Sequence, residues 1–117
     1  MENQLTLSGQ LIAGTIASYE IFNQAIPDGQ TRFMEIKVVA KTAALEFARF
    51  WKEVRVNNDG GSITVTSVDI VADSLDAALA GMSLNLSGSS GNFITSVGEP
   101  TVPGDLYIGG FIKWNNF

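Results

Sequence analysis

The sequence contains no cysteine and no histidine among its 117 residues. Without cysteine it can form no disulfide, no thiolate metal site and no cysteine nucleophile. Without histidine it also lacks the commonest general base near neutral pH and the commonest ligand of transition metals. The groups that remain for chemistry are carboxylates, lysines, tyrosines and hydroxyls.

Charged residues are scarce as well. Asp, Glu, Lys and Arg make up 16% of the chain, against about a quarter in a typical soluble domain. Glycine, serine, threonine and asparagine are abundant instead, which favours a β-rich protein with many turns. A surface with few charges leaves uncharged, partly apolar patches that can join subunits. The composition therefore predicts self-association.

Long hydrophobic runs are missing too. No apolar run approaches the roughly 18 to 20 residues that a membrane-spanning helix needs, and the N-terminus lacks the positive segment and continuous apolar core of a secretory signal. A chain of 117 residues fits one domain with its own core. We expect a single soluble domain over residues 1–117, without a membrane partner, in the cytoplasm or in an assembled particle.

The few positive charges are concentrated in one stretch. Six of the seven basic residues fall within 24 residues, and the first 31 residues contain none. The three glutamates of this stretch reduce its charge to +3, so the remainder of the chain carries −8 and the net charge is −5. The field of such a cluster extends about 10 Å at moderate salt and can steer an acidic partner. The six residues are Arg32, Lys37, Lys41, Arg49, Lys52 and Arg55.

Alternating apolar residues predict strands over most of the chain. In residues 32–40, Met34, Ile36, Val38 and Ala40 alternate with Phe33, Glu35, Lys37 and Val39, as in a half-buried strand. The turn residues at 23–30 predict a hairpin that joins this strand to the preceding one, and Asn57–Gly61 predicts a tight hairpin turn. Further strands are expected at 5–22, 62–72, 82–86, 93–97 and 106–114.

Between residues 42 and 54 the hydrophobic period changes from two to about 3.6. Ala43, Phe47, Phe50, Trp51 and Val54 fall within one arc of a helical wheel, and Thr42 is suited to cap the first turn. The sequence therefore predicts one amphipathic helix at about 42–54. The predicted fold class is α+β, mainly β: an antiparallel sheet, small barrel or sandwich of about seven strands with this helix.

The helical wheel also predicts an interface. Lys41 and Lys52 lie along one edge of the helix beside apolar residues, an arrangement that fits an acidic surface on another subunit, although a solvated helix face is the alternative. At the C-terminus, a strand with two glycines and several aromatics could pair with the sheet edge of a neighbour. The candidate interface residues are Lys41, Leu45, Ala48, Lys52, Arg55 and Phe117.

No pattern points to catalysis, a metal or a cofactor. Asp69, Asp73 and Asp76, like the turn residues 57–59, do not match a calcium-binding loop and are typical of a capped turn and a hairpin turn. The glycines at 9 and 14 are not followed by the Gly-Lys-Ser/Thr of a phosphate loop. A carboxylate-dependent enzyme or a small-ligand binder remains a lesser alternative.

These observations favour a non-enzymatic, β-rich assembly or binding protein that forms homo-oligomers, of the kind found as a structural component of a phage or other particle. The main alternative is a single-stranded nucleic-acid-binding module of OB-like type, in which basic residues track phosphates and aromatics stack on bases. The sequence pI of about 4.4 argues against it.

Overall fold

Strands account for most of the structure, a computed structural model that describes residues 3–12, 18–98 and 105–116. The described residues form eight strands and a single turn of 3-10 helix, Ala77–Leu79. The strands are β1 Asn3–Ile12, β2 Tyr19–Ala25, β3 Thr31–Thr42, β4 Phe47–Asp59, β5 Ser62–Leu75, β6 Ser83–Ser89, β7 Asn92–Gly98 and β8 Asp105–Asn116.

The strands form two antiparallel sheets. Five of them make a large sheet in the order β1-β8-β3-β4-β5, and three make a small sheet in the order β2-β7-β6. β3 lies at the centre of the large sheet and pairs with β8 on one side and β4 on the other. The mainly β, antiparallel fold that the sequence predicts is confirmed, and its sheets do not close into a barrel.

The core lies between the two sheets. The inner face of the large sheet, which faces the small sheet, carries the buried residues Met34, Ile36 and Val38 of β3. On the small sheet, the ring of Phe22 lies 6.2 Å from that of Phe93 and 5.7 Å from that of Trp114 in β8. Each fully buried side chain of this kind contributes about 1.5 to 3 kcal/mol through removal of apolar surface from water.

The strand predicted at 32–40 is confirmed, but its predicted hairpin with the preceding strand is wrong. β2 pairs with β7 in the small sheet, whereas β3 belongs to the large one. The turn between them crosses from one sheet to the other: the Ile26 N–H donates to the Gly91 carbonyl at 3.0 Å, and the Gly29 N–H donates to the Asn58 carbonyl at 2.9 Å. The buried side chain of Ile26 anchors this crossing in the core.

The helix predicted at about 42–54 is also wrong, because these residues form the end of β3, a turn and most of β4. Phe50 and Val54 face the core, while Phe47 and Trp51 lie on the opposite face of the large sheet. A strand with large apolar residues on both faces produces the same spacing as a helical stripe. Phenylalanine, tryptophan and valine are strong strand formers, and here pairing with β3 and β5 decides the outcome.

The tight turn predicted at Asn57–Gly61 is confirmed. β4 ends at Asp59, β5 begins at Ser62, and the two residues between them, Gly60 and Gly61, have φ of 65° and 92°. A two-residue hairpin turn requires positive φ at such positions, which glycine adopts without steric strain.

Two adjacent glycines of β8 meet different surroundings. Gly110 has φ of 131°, and a Cβ built on it would overlap the main-chain carbonyl of Lys37 in β3. A Cβ built on Gly109 would have no atom within 4 Å. Only Gly110 is therefore required for the close packing of β8 on β3.

We predict that Gly110→Ala lowers the free energy of unfolding by more than about 3 kcal/mol, because it adds both backbone strain and an overlap with the β3 backbone. Gly109→Ala is the matched control and should leave stability unchanged or raise it by up to about 1 kcal/mol. Chemical denaturation of the two variants and the wild type measures the difference. A Gly110→Ala protein as stable as the Gly109→Ala protein would contradict this packing.

Candidate functional site

The outer face of the large sheet, which points away from the small sheet, is the most unusual surface of the molecule. No described strand or turn packs on it. It carries five aromatic residues, of which Phe33, Phe47 and Tyr107 are 42 to 45% exposed. Solvent-facing sheet surfaces are normally polar, and a contiguous apolar patch marks an interaction site. The five aromatic residues are Phe33, Phe47, Trp51, Tyr107 and Phe111.

The same face gathers most of the positive charge. Five of the seven basic residues lie on it, and the acids of β3 and β4 on the same face are Glu35, Glu53 and Asp59. The face is therefore net positive, whereas the chain as a whole carries −5. The five basic residues are Lys37, Lys41, Arg49, Arg55 and Lys113.

Two of these cations lie on aromatic rings of the outer face. The Nζ atom of Lys37 is 4.6 Å from the ring centroid of Trp51, and that of Lys113 is 4.6 Å from the centroid of Phe111. The Trp51 indole Nε1–H donates to Glu35 Oε2 at 2.8 Å. Contacts of this kind hold the rings in fixed orientations and cover part of their surface with the protein's own charges.

A hollow of about 270 Å³ opens on the outer face near the end of β3. Its floor is formed by Val39 and by Gly109, which leaves open space where a side chain would stand. Its rim is formed by Phe47, Lys41 and Tyr107, which are cross-strand neighbours in one row. This Gly109 hollow therefore combines apolar walls with one positive charge.

The residues predicted as one interface do not come together on a helical edge. Lys41 and Arg55 are both exposed on the outer face. Arg55 pairs with Phe33, eight residues from Lys41 along β3, which is roughly 26 Å at the rise of a strand. Ala48 is fully buried in the core, because β4 directs even-numbered residues inward. Leu45 is exposed in the turn between β3 and β4, and Phe117 lies outside the described residues.

Lys52 and Arg32 of the basic stretch lie on the inner face instead. Lys52 Nζ lies 2.6 Å from Asp69 Oδ1 and 3.5 Å from Asp73 Oδ1 of β5. Burial alone lowers the pKa of Lys52, but the hydrogen bond that its ammonium donates to Asp69 and the charges of both aspartates outweigh it, so the pKa lies above its ordinary value. Arg32 donates to Gln24 Oε1 of β2, and burial lowers the pKa of its guanidinium.

Sequence reasoning missed the aromatic members of the outer face. Phe47 and Trp51 fall within the apolar arc of the predicted helix, and Tyr107 and Phe111 fall within the predicted strand at 106–114, so none of them is among the candidate interface residues. The usable signal was the alternation itself, because the side of residues 32–40 that carries Glu35 and Lys37 also carries Phe33 and Val39. An aromatic residue on the polar side of a strand indicates that this face of the sheet contacts something other than solvent.

The described residues hold no group of three or more His, Cys, Asp or Glu that could bind a metal ion. Within the same part of the chain, no helix has the length and apolarity of a membrane span.

No protein-family model matches the chain, and no curated protein sequence is significantly similar to it. Among solved structures it is similar to phage tailspike proteins. The tailspike protein of Acinetobacter baumannii phage AM24 matches 95% of this chain at 8% identity and a TM-score of 0.46. Tailspike gp49 of Acinetobacter baumannii bacteriophage Fri1, a capsular polysaccharide depolymerase, matches 97% of this chain at 14% identity and a TM-score of 0.48. The tailspike protein of Acinetobacter phage vB_ApiP_P1 matches 99% of this chain at 8% identity and a TM-score of 0.44.

The chain spans only 26%, 18% and 21% of these three tailspike chains, in the same order. Identities of 8 to 14% and TM-scores below 0.5 assign this chain neither a family nor an activity.

We predict that replacing both partners of Lys52, as Asp69→Asn with Asp73→Asn, lowers the free energy of unfolding by about 1 kcal/mol at pH 8, as expected for a partly exposed ion pair. A lysine whose pKa is higher in the folded than in the unfolded protein stabilises the fold fully at a pH below its unfolded pKa, about 10.4. This stabilisation is lost as the pH rises through the pKa of the folded protein. The difference between variant and wild type should therefore vanish as the pH rises above 10.4, in denaturation curves measured from pH 8 to 11.5. A difference that does not change with pH would contradict the ion pair.

Proposed function

We propose that this chain is a non-enzymatic, β-rich assembly protein that forms homo-oligomers through the outer face of its large sheet. The observation that carries the proposal is the aromatic and basic composition of that face, on which no described element packs. Tryptophan, tyrosine, phenylalanine and arginine are the residues most enriched in the buried centres of protein interfaces. Such a surface is stabilised when a second protein removes it from water.

Charge supports a second copy of the chain as the partner. The outer face is net positive although the whole chain carries −5, so the face is complementary to other surfaces of the same molecule. Direct contact between two outer faces would oppose like charges. The contact that the charges favour is therefore heterologous, with the outer face of one copy against an acidic surface of the next, as in a ring or a longer array.

A structural component of a phage or other particle needs a contact that can repeat from one copy to the next, as a heterologous contact does. The low charge content and the many turns of the chain suit a subunit that is covered by its neighbours. We therefore include a structural role in such a particle in the proposal.

A single strand of nucleic acid is the competing partner, because the outer face combines basic and aromatic residues. Two of its rings, Trp51 and Phe111, already carry the ammonium groups of Lys37 and Lys113, so bases cannot stack on those surfaces without displacing them. Glu35 and Glu53 also pair directly across β3 and β4 and interrupt the positive surface. These contacts favour a protein partner.

We predict that the wild-type protein is oligomeric in sedimentation experiments and that Lys41→Glu raises its dissociation constant at least tenfold, because the variant opposes acid to acid. The matched control is Ser83→Asp with Ser87→Asp, two exposed positions of β6, which makes the same change in net charge and should leave the mass unchanged. The oligomer should also weaken as salt is raised. A monomer at every concentration and salt tested would refute the proposal.

We further predict that a fluorescent single-stranded oligonucleotide shows no saturable binding to the protein at low ionic strength. Binding through phosphates would weaken linearly on a logarithmic salt scale, so a titration repeated at several salt concentrations detects it. Saturable, salt-dependent binding that Lys37→Glu abolishes would favour the nucleic-acid function instead.

A further inference from the structure

Leu45 is one of the two most exposed large hydrophobic residues that the structure describes, the other being Val68. It lies in the turn between β3 and β4, it is 66% exposed, and its φ is 64°. Glycine or asparagine normally occupies a left-handed position in such a hairpin turn, and a bulky side chain there is strained. The Leu45 N–H donates to the Thr42 carbonyl at 3.0 Å and holds the turn in this form. The turn therefore holds an apolar residue in a strained conformation with most of its surface exposed to solvent.

The Gly109 hollow is a matching acceptor. A cavity of about 150 Å³ can hold a benzene ring, so a hollow of about 270 Å³ admits a leucine side chain between Phe47 and Tyr107. The molecule's own Leu45 is not among the residues that line it. A leucine side chain placed there would lie over Val39 and Gly109, and a Cβ built on Gly109 has no atom within 4 Å.

Charges near the two features are also complementary. The turn carries Glu46 beside Leu45, and Asp76 lies next to it, since Asp76 Oδ2 accepts the Phe47 N–H at 2.8 Å. The hollow carries Lys41 on its rim, and Arg49 lies in the adjacent row of the sheet. The turn of one copy is thus acidic and apolar, and the hollow of another is basic and apolar.

We infer that Leu45 of one copy inserts into the Gly109 hollow of a second copy, with Glu46 beside the partner's Lys41. The inference rests on the proposed self-assembly and names the two surfaces that meet in it. The turn adjoins the hollow, since Lys41 and Phe47 line the hollow and flank the turn, but different residues form the two features. Each copy can therefore both donate a leucine and accept one. The contact that the charges favour is heterologous.

Two variants test the two sides of this contact separately. Leu45→Gly removes the inserted side chain and relieves the positive φ, so the melting temperature of the monomer should stay unchanged or rise by a few degrees. Gly109→Val places a side chain in the hollow, and its Cβ has no atom of its own chain within 4 Å. Each variant should raise the dissociation constant at least tenfold in sedimentation experiments. Ala44→Gly, in the same turn, is the control and should associate like the wild type.

A mixture of the two variants is the decisive measurement. Leu45→Gly retains an open hollow and Gly109→Val retains the leucine, so an equimolar mixture can form one intact contact. Fluorescence-detected sedimentation with one variant labelled should show a mixed complex that is tighter than either variant alone. Failure to form it, when each variant alone is weakened, would overturn the insertion.

The remaining outcomes separate this inference from the proposed function. A wild-type oligomer that both variants leave intact would overturn the insertion but not the self-assembly. A marked fall in melting temperature with Leu45→Gly would show that Leu45 supports its own fold, and would also overturn the insertion. A wild-type protein that is monomeric throughout would refute both.

Discussion

The register of β3 between β4 and β8 is the constraint on which both faces of the large sheet depend. Side chains alternate along a strand, so a shift of one residue would move Val38 from the core to solvent and Lys37 from solvent to the core. Gly110 helps to exclude such a shift, because it pairs with Val38 and leaves room for the Lys37 carbonyl where any side chain would collide. The same backbone pairing therefore determines the buried core and the aromatic outer face together.

The parts of the fold that the sequence predicts are those in which one face differs clearly from the other. Residues 32–40 alternate between aliphatic and mostly polar side chains, and the strand prediction there is confirmed. β4 has no such contrast: Phe50 and Val54 face inward while Phe47 and Trp51 face outward, and their spacing is also that of a helix. An outer face that is itself apolar removes the contrast on which a periodicity-based prediction depends. The wrong helix and the missed aromatic residues of the outer face thus have one physical cause.

The basic stretch shows why a cluster in the sequence need not be a cluster on the surface. Strand alternation sends Arg32 and Lys52 to the inner face, where the latter pairs with Asp69 and Asp73. Sheet pairing in turn brings Lys113 to the outer face from a distant part of the chain. Of the predicted interface, Lys41 and Leu45 lie next to the hollow, while Ala48 is in the core. Cross-strand pairing determines which charged residues are neighbours on the surface, and the sequence pattern alone does not give that pairing.

An aromatic sheet face that is open to solvent is prone to unwanted association, and the positions of two lysines reduce this tendency. With Lys37 over Trp51 and Lys113 over Phe111, charged groups cover two of the five aromatic rings of the outer face. These contacts are weak, about 0.5 to 1 kcal/mol at exposed sites, so a complementary surface can displace them at little cost. An unrelated apolar surface would have to bury the ammonium groups without a counter-charge, which is far more costly. A partner that brings carboxylates, as the acidic turn of another copy does in the proposed contact, avoids that penalty. Selectivity for such a partner would follow from the same side chains that keep the face hydrated.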